Sequence, residues 1–164
     1  DRAWQVAQEL NVAAVVNMQG DEPMVRGAML DTLIDALFSR PEVTVASLYT
    51  PISAEEAQAA SNCKVVVEAS GWALYFSRAP IPYAREGQPQ YRKHLGYYAY
   101  SREALDAFHG WPPARLEETE RLEQLRFLDH GVRIAMAETP FNTIGIDTAE
   151  DFAMADALWT RADA

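Results

Sequence analysis

The chain predicts an α/β fold: a three-layer sandwich around a mixed, mainly parallel sheet. Three observations carry this. Short apolar, β-branched runs alternate with segments of helical period, and the Ser70-Gly71 turn joins two strand-like runs as an antiparallel pair. The third is size: 164 residues suit one domain, residues 1–164, and are too few for two ordinary ones.

The elements follow in order. Trp4 to Leu10 places Val6, Ala7 and Leu10 on one helical face. Val12-Ala13-Ala14-Val15-Val16 reads as a short buried strand of the parallel-sheet type. Leu30, Leu33, Ile34, Leu37 and Phe38 recur at helical spacing and stop before Pro41. Val43 to Leu48 predicts a second strand, and Ser53 with Glu56 forms a capping box for a short helix reaching Ala60. Cys63 to Val67 and Trp72 to Phe76 flank the Ser70-Gly71 turn.

Pro80, Pro82, Gly87 and Pro89 mark a long loop, of a length more often functional than merely connecting. His94 to Tyr100 is strand-like, and Ser101 caps a helix ending near Gly110. Arg115 to His130 reads as one helix, with Leu122, Leu125 and Leu128 on its apolar face and Gly131 as its stop. Val132 to Ala137 gives a last strand, and Thr148 caps a final helix from about Ala149 to Ala162.

Composition narrows the function. The net charge of −10 argues against a nucleic-acid or anionic-membrane surface, both of which need basic patches. Apolar content of 49% with 23% charged residues is that of a globular chain, not a disordered one. The one cysteine, Cys63, cannot form an internal disulfide and reads as a small buried side chain in a reducing compartment. No apolar run is long enough to insert in a membrane, no Cys/His cluster has zinc spacing, and the amino end does not read as a signal peptide, so the expected compartment is the cytoplasm.

The most informative stretch is Gln19-Gly20-Asp21-Glu22-Pro23, directly behind the first apolar run. An acidic pair at the carboxyl end of a strand lies where open α/β sheets bind ligands, and a carboxylate there can hold Mg²⁺ against a nucleotide phosphate. The competing reading is an ordinary polar turn between strand and helix. Asp147 has a similar alternative as a helix cap. Arg78 can pair a carboxylate in bidentate fashion or sit in a surface ion pair. His94 and Tyr98, four apart on a strand, point to one face and can equally be core residues. Glu123 and Gln124 read most simply as a solvated helix surface. His109 and His130 lie near helix ends, and neither Lys64 nor Trp111 carries a decisive signal.

Five stretches together resemble the 3-deoxy-D-manno-octulosonate (Kdo) cytidylyltransferase family, also called CMP-Kdo synthetases. They are Val15 to Met24, Ala73 to Pro82, His94-Leu95-Gly96-Tyr97-Tyr98-Ala99-Tyr100, Leu122-Glu123-Gln124-Leu125-Arg126 and Gly145-Ile146-Asp147-Thr148, in the family's order. The resemblance implies a nucleotide-sugar transferase fold and the reaction CTP + Kdo → CMP-Kdo + pyrophosphate. It further implies Mg²⁺ dependence, a cytoplasmic role in lipopolysaccharide precursor synthesis and a homodimer. Asp21 and Asp147 match the family's magnesium-binding aspartates and stand as the catalytic pair. Gln19, Arg78, His94, Tyr98, Glu123 and Gln124 match positions implied to bind substrate.

Phosphoryl transfer gives these types a physical sense, because it needs positioning and charge neutralisation more than covalent help. The pattern also departs from the family. Asp1-Arg2 matches the last two letters of a Ser-Gly-Thr-Asp-Arg motif, so the chain is expected to be the carboxyl-terminal two-thirds of a cytidylyltransferase domain, without the nucleotide loop. Ala149 stands where the family commonly has proline, and Ser61-Asn62-Cys63-Lys64 differs from its usual Pro-Asn-Val-Val-Lys. Two other functions stay open: a cytidylyltransferase for another acidic sugar such as sialate, and a non-catalytic homologue that keeps the sugar-binding and dimer surfaces.

Overall fold

The computed structural model describes residues 2–146 and 148–162. Six helices and six strands are present among them: α1 (Arg2–Glu9), β1 (Ala14–Asn17), α2 (Gly27–Phe38), β2 (Val45–Ile52), β3 (Lys64–Val67), β4 (Ala73–Ser77), β5 (Tyr91–Ser101), α3 (Arg102–Gly110), α4 (Arg115–Glu120), α5 (Leu125–Asp129), β6 (Ala135–Glu138) and α6 (Ala149–Ala162).

The strands make one sheet in the order β4-β3-β5-β2-β6, with β1 also on β5. Helices cover both faces, as expected of three layers. On one face Met29, Leu33 and Leu37 of α2 pack with Leu48, Leu95, Tyr97 and Ala99. On the other, Leu105 and Phe108 of α3 and Leu125 and Phe127 of α5 are buried, and Phe108, Leu125 and Phe127 pack with Val65, Phe76 and Tyr98. The alternation along β5 divides these cores, since Leu95, Tyr97 and Ala99 face α2 while His94, Gly96 and Tyr98 face the other way.

The sheet is mixed, but the expectation that it is mainly parallel fails among the described residues. Only β2–β6 is parallel; β1–β5, β2–β5, β3–β4 and β3–β5 are antiparallel. The cause is β5, an 11-residue strand that runs against every strand it pairs with. β1 is corrected for the same reason: its apolar residues read as a buried parallel strand, yet it is antiparallel and half-buried throughout. Side-chain hydrophobicity reports burial and not strand direction.

Local punctuation is closer to expectation. Gly71 takes φ +85° in the β3–β4 turn, where a side chain would be strained. Ser101 Oγ accepts the Ala104 N–H at 3.2 Å and starts α3. The Ser53–Glu56 capping box forms in both directions, at 2.8 and 3.1 Å, but supports a single 3₁₀ turn, Glu56–Gln58, instead of a helix to Ala60. Thr148 and Asp151 cap α6 reciprocally.

The expected helix from Arg115 to His130 is two helices. Arg121 adopts φ 56°, ψ 48°, a left-handed conformation that ends α4, and α5 begins only at Leu125. Glu117 and Arg126 hold the break. The Glu117 carboxylate accepts from Arg126 at 2.5 and 2.7 Å and from the Ala114 N–H at 2.9 Å. Arg126 also lies 4.2 Å over the Phe108 ring and donates to the Trp111 carbonyl. The leucine spacing of the segment is helical, but a buried ion pair nine residues apart decides its path.

Candidate active site

The site begins with a split along one edge of β5. β1 pairs with Tyr98 to Ser101, whereas β3 meets the same edge at Lys93, where His94 N–H also donates to the Cys63 carbonyl at 2.8 Å. Between the two strands the edge is unpaired among the described residues, and a cleft of about 1560 Å³ opens there. Ligand crevices in α/β sheets form where neighbouring strands diverge in this way.

The Gln19–Glu22 turn leaves β1 and crosses the face of Gly96. A Cβ at Gly96 would lie 2.7 Å from Glu22 Oε1 and 3.2 Å from Gln19 Cγ, so a side chain there would have to displace a carboxylate that Thr143 holds. Thr143 Oγ1 donates to Glu22 Oε2 at 2.8 Å, Tyr97 donates its hydroxyl to the Glu22 carbonyl, and Ile146 N–H donates to the Asp21 carbonyl at 2.8 Å. The Gln-Gly-Asp-Glu turn is thereby tied to the segment that precedes Asp147. Asp147 itself lies outside the described residues.

Every other residue matched to a catalytic or substrate-binding position lines this one cleft: Gln19, Asp21, Arg78, His94, Tyr98, Glu123 and Gln124. Among the described residues, no hydrogen bond or ion pair engages the Asp21 carboxylate; its charge adds a little to the raised pKa of the Tyr97 hydroxyl, which burial sets first. Arg78 is half-buried and partly committed, with Nε donating to the Glu120 carbonyl at 3.0 Å and Nη1 to the Ala60 carbonyl at 3.1 Å. Glu120 in turn accepts from Ser77 Oγ and the Arg78 N–H. The bland alternative of a surface ion pair does not hold for Arg78, which is held by carbonyls.

His94 and Tyr98 form the floor. A two-residue bulge, Gly96-Tyr97, sits between the Leu48–Leu95 and Ser47–Tyr98 pairs. The His94 and Tyr98 rings come to 5.3 Å, against about 13 Å for residues four apart on a regular strand. His94 stands edge-on to Phe76 at 5.0 Å, and Nε2 lies 2.9 Å from Ser47 Oγ. Burial pulls its pKa down to about 3, so it meets a ligand as a neutral imidazole. Tyr98 continues the wall by stacking on Tyr100, which stacks on Phe127. Burial raises the Tyr98 hydroxyl well above its ordinary pKa, so it too stays neutral.

Glu123 and Gln124 need correcting as helix-surface residues. They occupy the break between α4 and α5, with Glu123 exposed and Gln124 buried, its amide 3.7 Å from Cys63 Sγ. Cys63 is buried as expected, and burial drives its thiol up to about 12, which makes it inert as a nucleophile.

Two lysines reverse their apparent standing. Lys64 is fully buried and its ammonium donates to the carbonyls of Asn62, Arg78 and Ala59 at 2.5, 2.6 and 2.9 Å. All three donors are used, so its role is to hold the cleft wall. Lys93 lines the cleft and reaches the Thr143 carbonyl at 2.7 Å and Asn142 Oδ1 at 3.1 Å. Burial lowers its pKa, while Glu22 and then Glu56 oppose that shift. Sequence reasoning passed over Lys93 because its partners lie 49 and 50 residues away. Its place directly before His94 was the only local signal.

A three-layer α/β fold with a carboxylate-bearing crevice at a strand split defines an α/β protein with a cleft of small-molecule size. Residues 1–134 match the model of the cytidylyltransferase family, and the chain belongs to that family. It is 50% identical over 160 residues to a 3-deoxy-manno-octulosonate cytidylyltransferase of Acidobacterium capsulatum, covering 96% of this chain and 65% of that protein. Identity to the protein of the same description from Koribacter versatilis is 49% over 153 residues, or 92% of this chain and 58% of the relative. The solved structure of a CMP:2-keto-3-deoxy-manno-octonic acid synthetase complexed with CTP matches with a TM-score of 0.93 at 39% identity, over 99% of this chain and 68% of that one. The chain thus spans 58–65% of the length of the two sequence relatives.

Proposed function

We propose that this protein is a Kdo cytidylyltransferase, transferring CMP from CTP to Kdo with release of pyrophosphate. The observation that supports it most is convergence: seven residues drawn from four separated stretches of sequence line one cleft. The relatives' descriptions and the CTP complex of the structural neighbour supply the two substrates.

In this reading the acidic sugar lies over His94 and Tyr98, bordered by Arg78, Glu123 and Gln124. Neutral imidazole, phenol and amide groups suit the hydroxyls of a sugar, and Arg78 suits its carboxylate. Lys93 adds a cation where Glu22 and Asp21 would otherwise repel an anionic ligand. Gln19 borders the same space.

Asp21 and Asp147 are the proposed magnesium ligands. The residues fit the ion: Asp21 offers a hard carboxylate oxygen without a hydrogen-bonded or ion-paired partner among the described residues, and Mg²⁺ takes one or two carboxylates plus substrate oxygens and water. Bound there, the ion would neutralise phosphate charge and favour in-line geometry. The chain's own residues fix the sugar hydroxyl and exclude alternative poses. We further propose one domain over residues 1–164, action in the cytoplasm and a homodimeric state, the last on family resemblance.

The test offers CTP and Mg²⁺ with Kdo or with sialate to the protein expressed from its natural gene, and measures pyrophosphate. Release with Kdo and not with sialate supports the proposal. Release with sialate alone would move the assignment to that sugar, and Kdo binding without release would make the protein a binding module.

A further inference from the structure

We propose that Ser47 is a positioning residue that fixes His94 as the Nε2–H tautomer and so turns an acceptor nitrogen into the cleft. Ser47 sits on β2, is fully buried, and cannot itself touch a ligand. Its Oγ lies 2.9 Å from His94 Nε2, 2.9 Å from the Tyr97 carbonyl and 3.3 Å from the Leu95 carbonyl.

One hydroxyl has one proton to give. Carbonyl oxygens only accept, so the short contact to Tyr97 O is a hydrogen bond only if Ser47 is the donor. Its proton is then spent, and the 2.9 Å contact to His94 requires Nε2–H to donate to the Ser47 oxygen. The reverse assignment would leave oxygen facing oxygen at two carbonyls in a buried site, without a hydrogen between them. A neutral imidazole carries a single N–H, so Nδ1 becomes an acceptor.

Nδ1 opens on the cleft. Among the described residues it has no hydrogen-bond partner, yet no buried side-chain nitrogen or oxygen is left unpaired there. It is therefore in contact with the space that His94 lines. The bulge explains why the carbonyls are available: Gly96-Tyr97 leaves the regular ladder with β2, which turns Tyr97 O towards Ser47. A pure acceptor at the cleft floor selects a hydroxyl donor. This deepens the proposed sugar site and rests on that reading only for its kinetic arm.

Histidine-selective ¹⁵N labelling with NMR reads the tautomer directly in the unaltered protein. There are 3 histidines, and His109→Gln and His130→Gln assign the other two signals. The expected result is a single Nε2–H tautomer of His94 that does not titrate between about pH 5 and 8, the range in which an ordinary imidazole does. Averaged tautomers or an Nδ1–H form would overturn the proposal without reference to any activity.

Ser47→Cys keeps the volume with a much weaker hydrogen-bonding group, and Ser47→Thr restores the hydroxyl. Ser47→Cys should mix the tautomers and raise KM for Kdo roughly tenfold, with KM for CTP and kcat little changed, and Ser47→Thr should recover both readouts. An unchanged tautomer in Ser47→Cys would reduce Ser47 to a packing role, and an altered tautomer with unchanged KM for Kdo would overturn the part of the proposal that gives Nδ1 to the sugar. If no variant and no wild-type sample used Kdo, the assigned function would fail while the tautomer measurement still decided the Ser47–His94 relationship.

Discussion

Gly96 and Glu22 occupy one space. A methyl group on Gly96 would stand 2.7 Å from Glu22 Oε1, in a turn whose other carboxylate oxygen is already bonded to Thr143. The closeness of the acidic turn to the strand that carries His94 and Tyr98 is therefore set by a missing side chain.

Gly96→Ala should push the Gln19–Glu22 turn outwards and destabilise the fold by about 1–3 kcal/mol, the usual effect of overpacking. Turnover should fall by roughly tenfold to a hundredfold, because Asp21 moves with the turn. Melting curves and steady-state kinetics check both. Wild-type turnover in this variant would detach the turn from the chemistry.

Asp21→Asn removes a charge at the cleft without removing any hydrogen bond among the described residues. The melting temperature should barely change. Turnover should drop roughly a hundredfold or more if the carboxylate acts on the phosphoryl transition state. Titrating Mg²⁺ distinguishes the roles: unaltered turnover at limiting magnesium would take Asp21 out of the metal site.

Lys64→Met should lower stability by roughly 3 kcal/mol, since it strands three carbonyls that now share the ammonium. Denaturant unfolding measures this. A neutral result would mean that the Asn62 and Arg78 segments re-pair elsewhere.

Glu117→Gln should cost about 3 kcal/mol, because both partners of the Glu117–Arg126 pair are nearly buried and Arg126 would keep an uncompensated charge. The kinetic consequence should be a raised KM for the sugar, as the break carrying Glu123 and Gln124 loosens. Loss of stability with unchanged KM would confine the pair to the fold.

His94 makes the protein acid-labile in a defined window. Its folded pKa of about 3 lies below the ordinary 6.5, so below about pH 6.5 the unfolded chain takes a proton that the folded chain refuses. The stability present above pH 6.5 is lost progressively as pH falls towards 3. Unfolding free energies measured across this range should show a shallower slope in His94→Gln than in wild type. Equal slopes would assign the acid sensitivity to other groups.

Much of this protein was legible in its residues. The alternation of apolar runs and helical periods gave three layers, and the caps at Ser101, Ser53–Glu56 and Thr148–Asp151 gave three starts, because each rests on neighbours within four positions. The motif stretches picked out seven residues that the fold brings to one cleft. Tertiary structure decided what local pattern cannot encode. Strand direction depended on β5, whose antiparallel course no hydrophobic pattern records. The break at Arg121 depended on the Glu117–Arg126 pair, and the 5.3 Å meeting of His94 with Tyr98 on a bulge opposite Ser47. Lys93 and Ser47 acquired their roles only from carbonyls and rings placed by distant segments, and Lys64 from the Arg78 carbonyl together with two carbonyls of the turn just before it. Periodicity reports which side of an element is apolar; register, bulges and buried hydrogen bonds are settled by what packs against it.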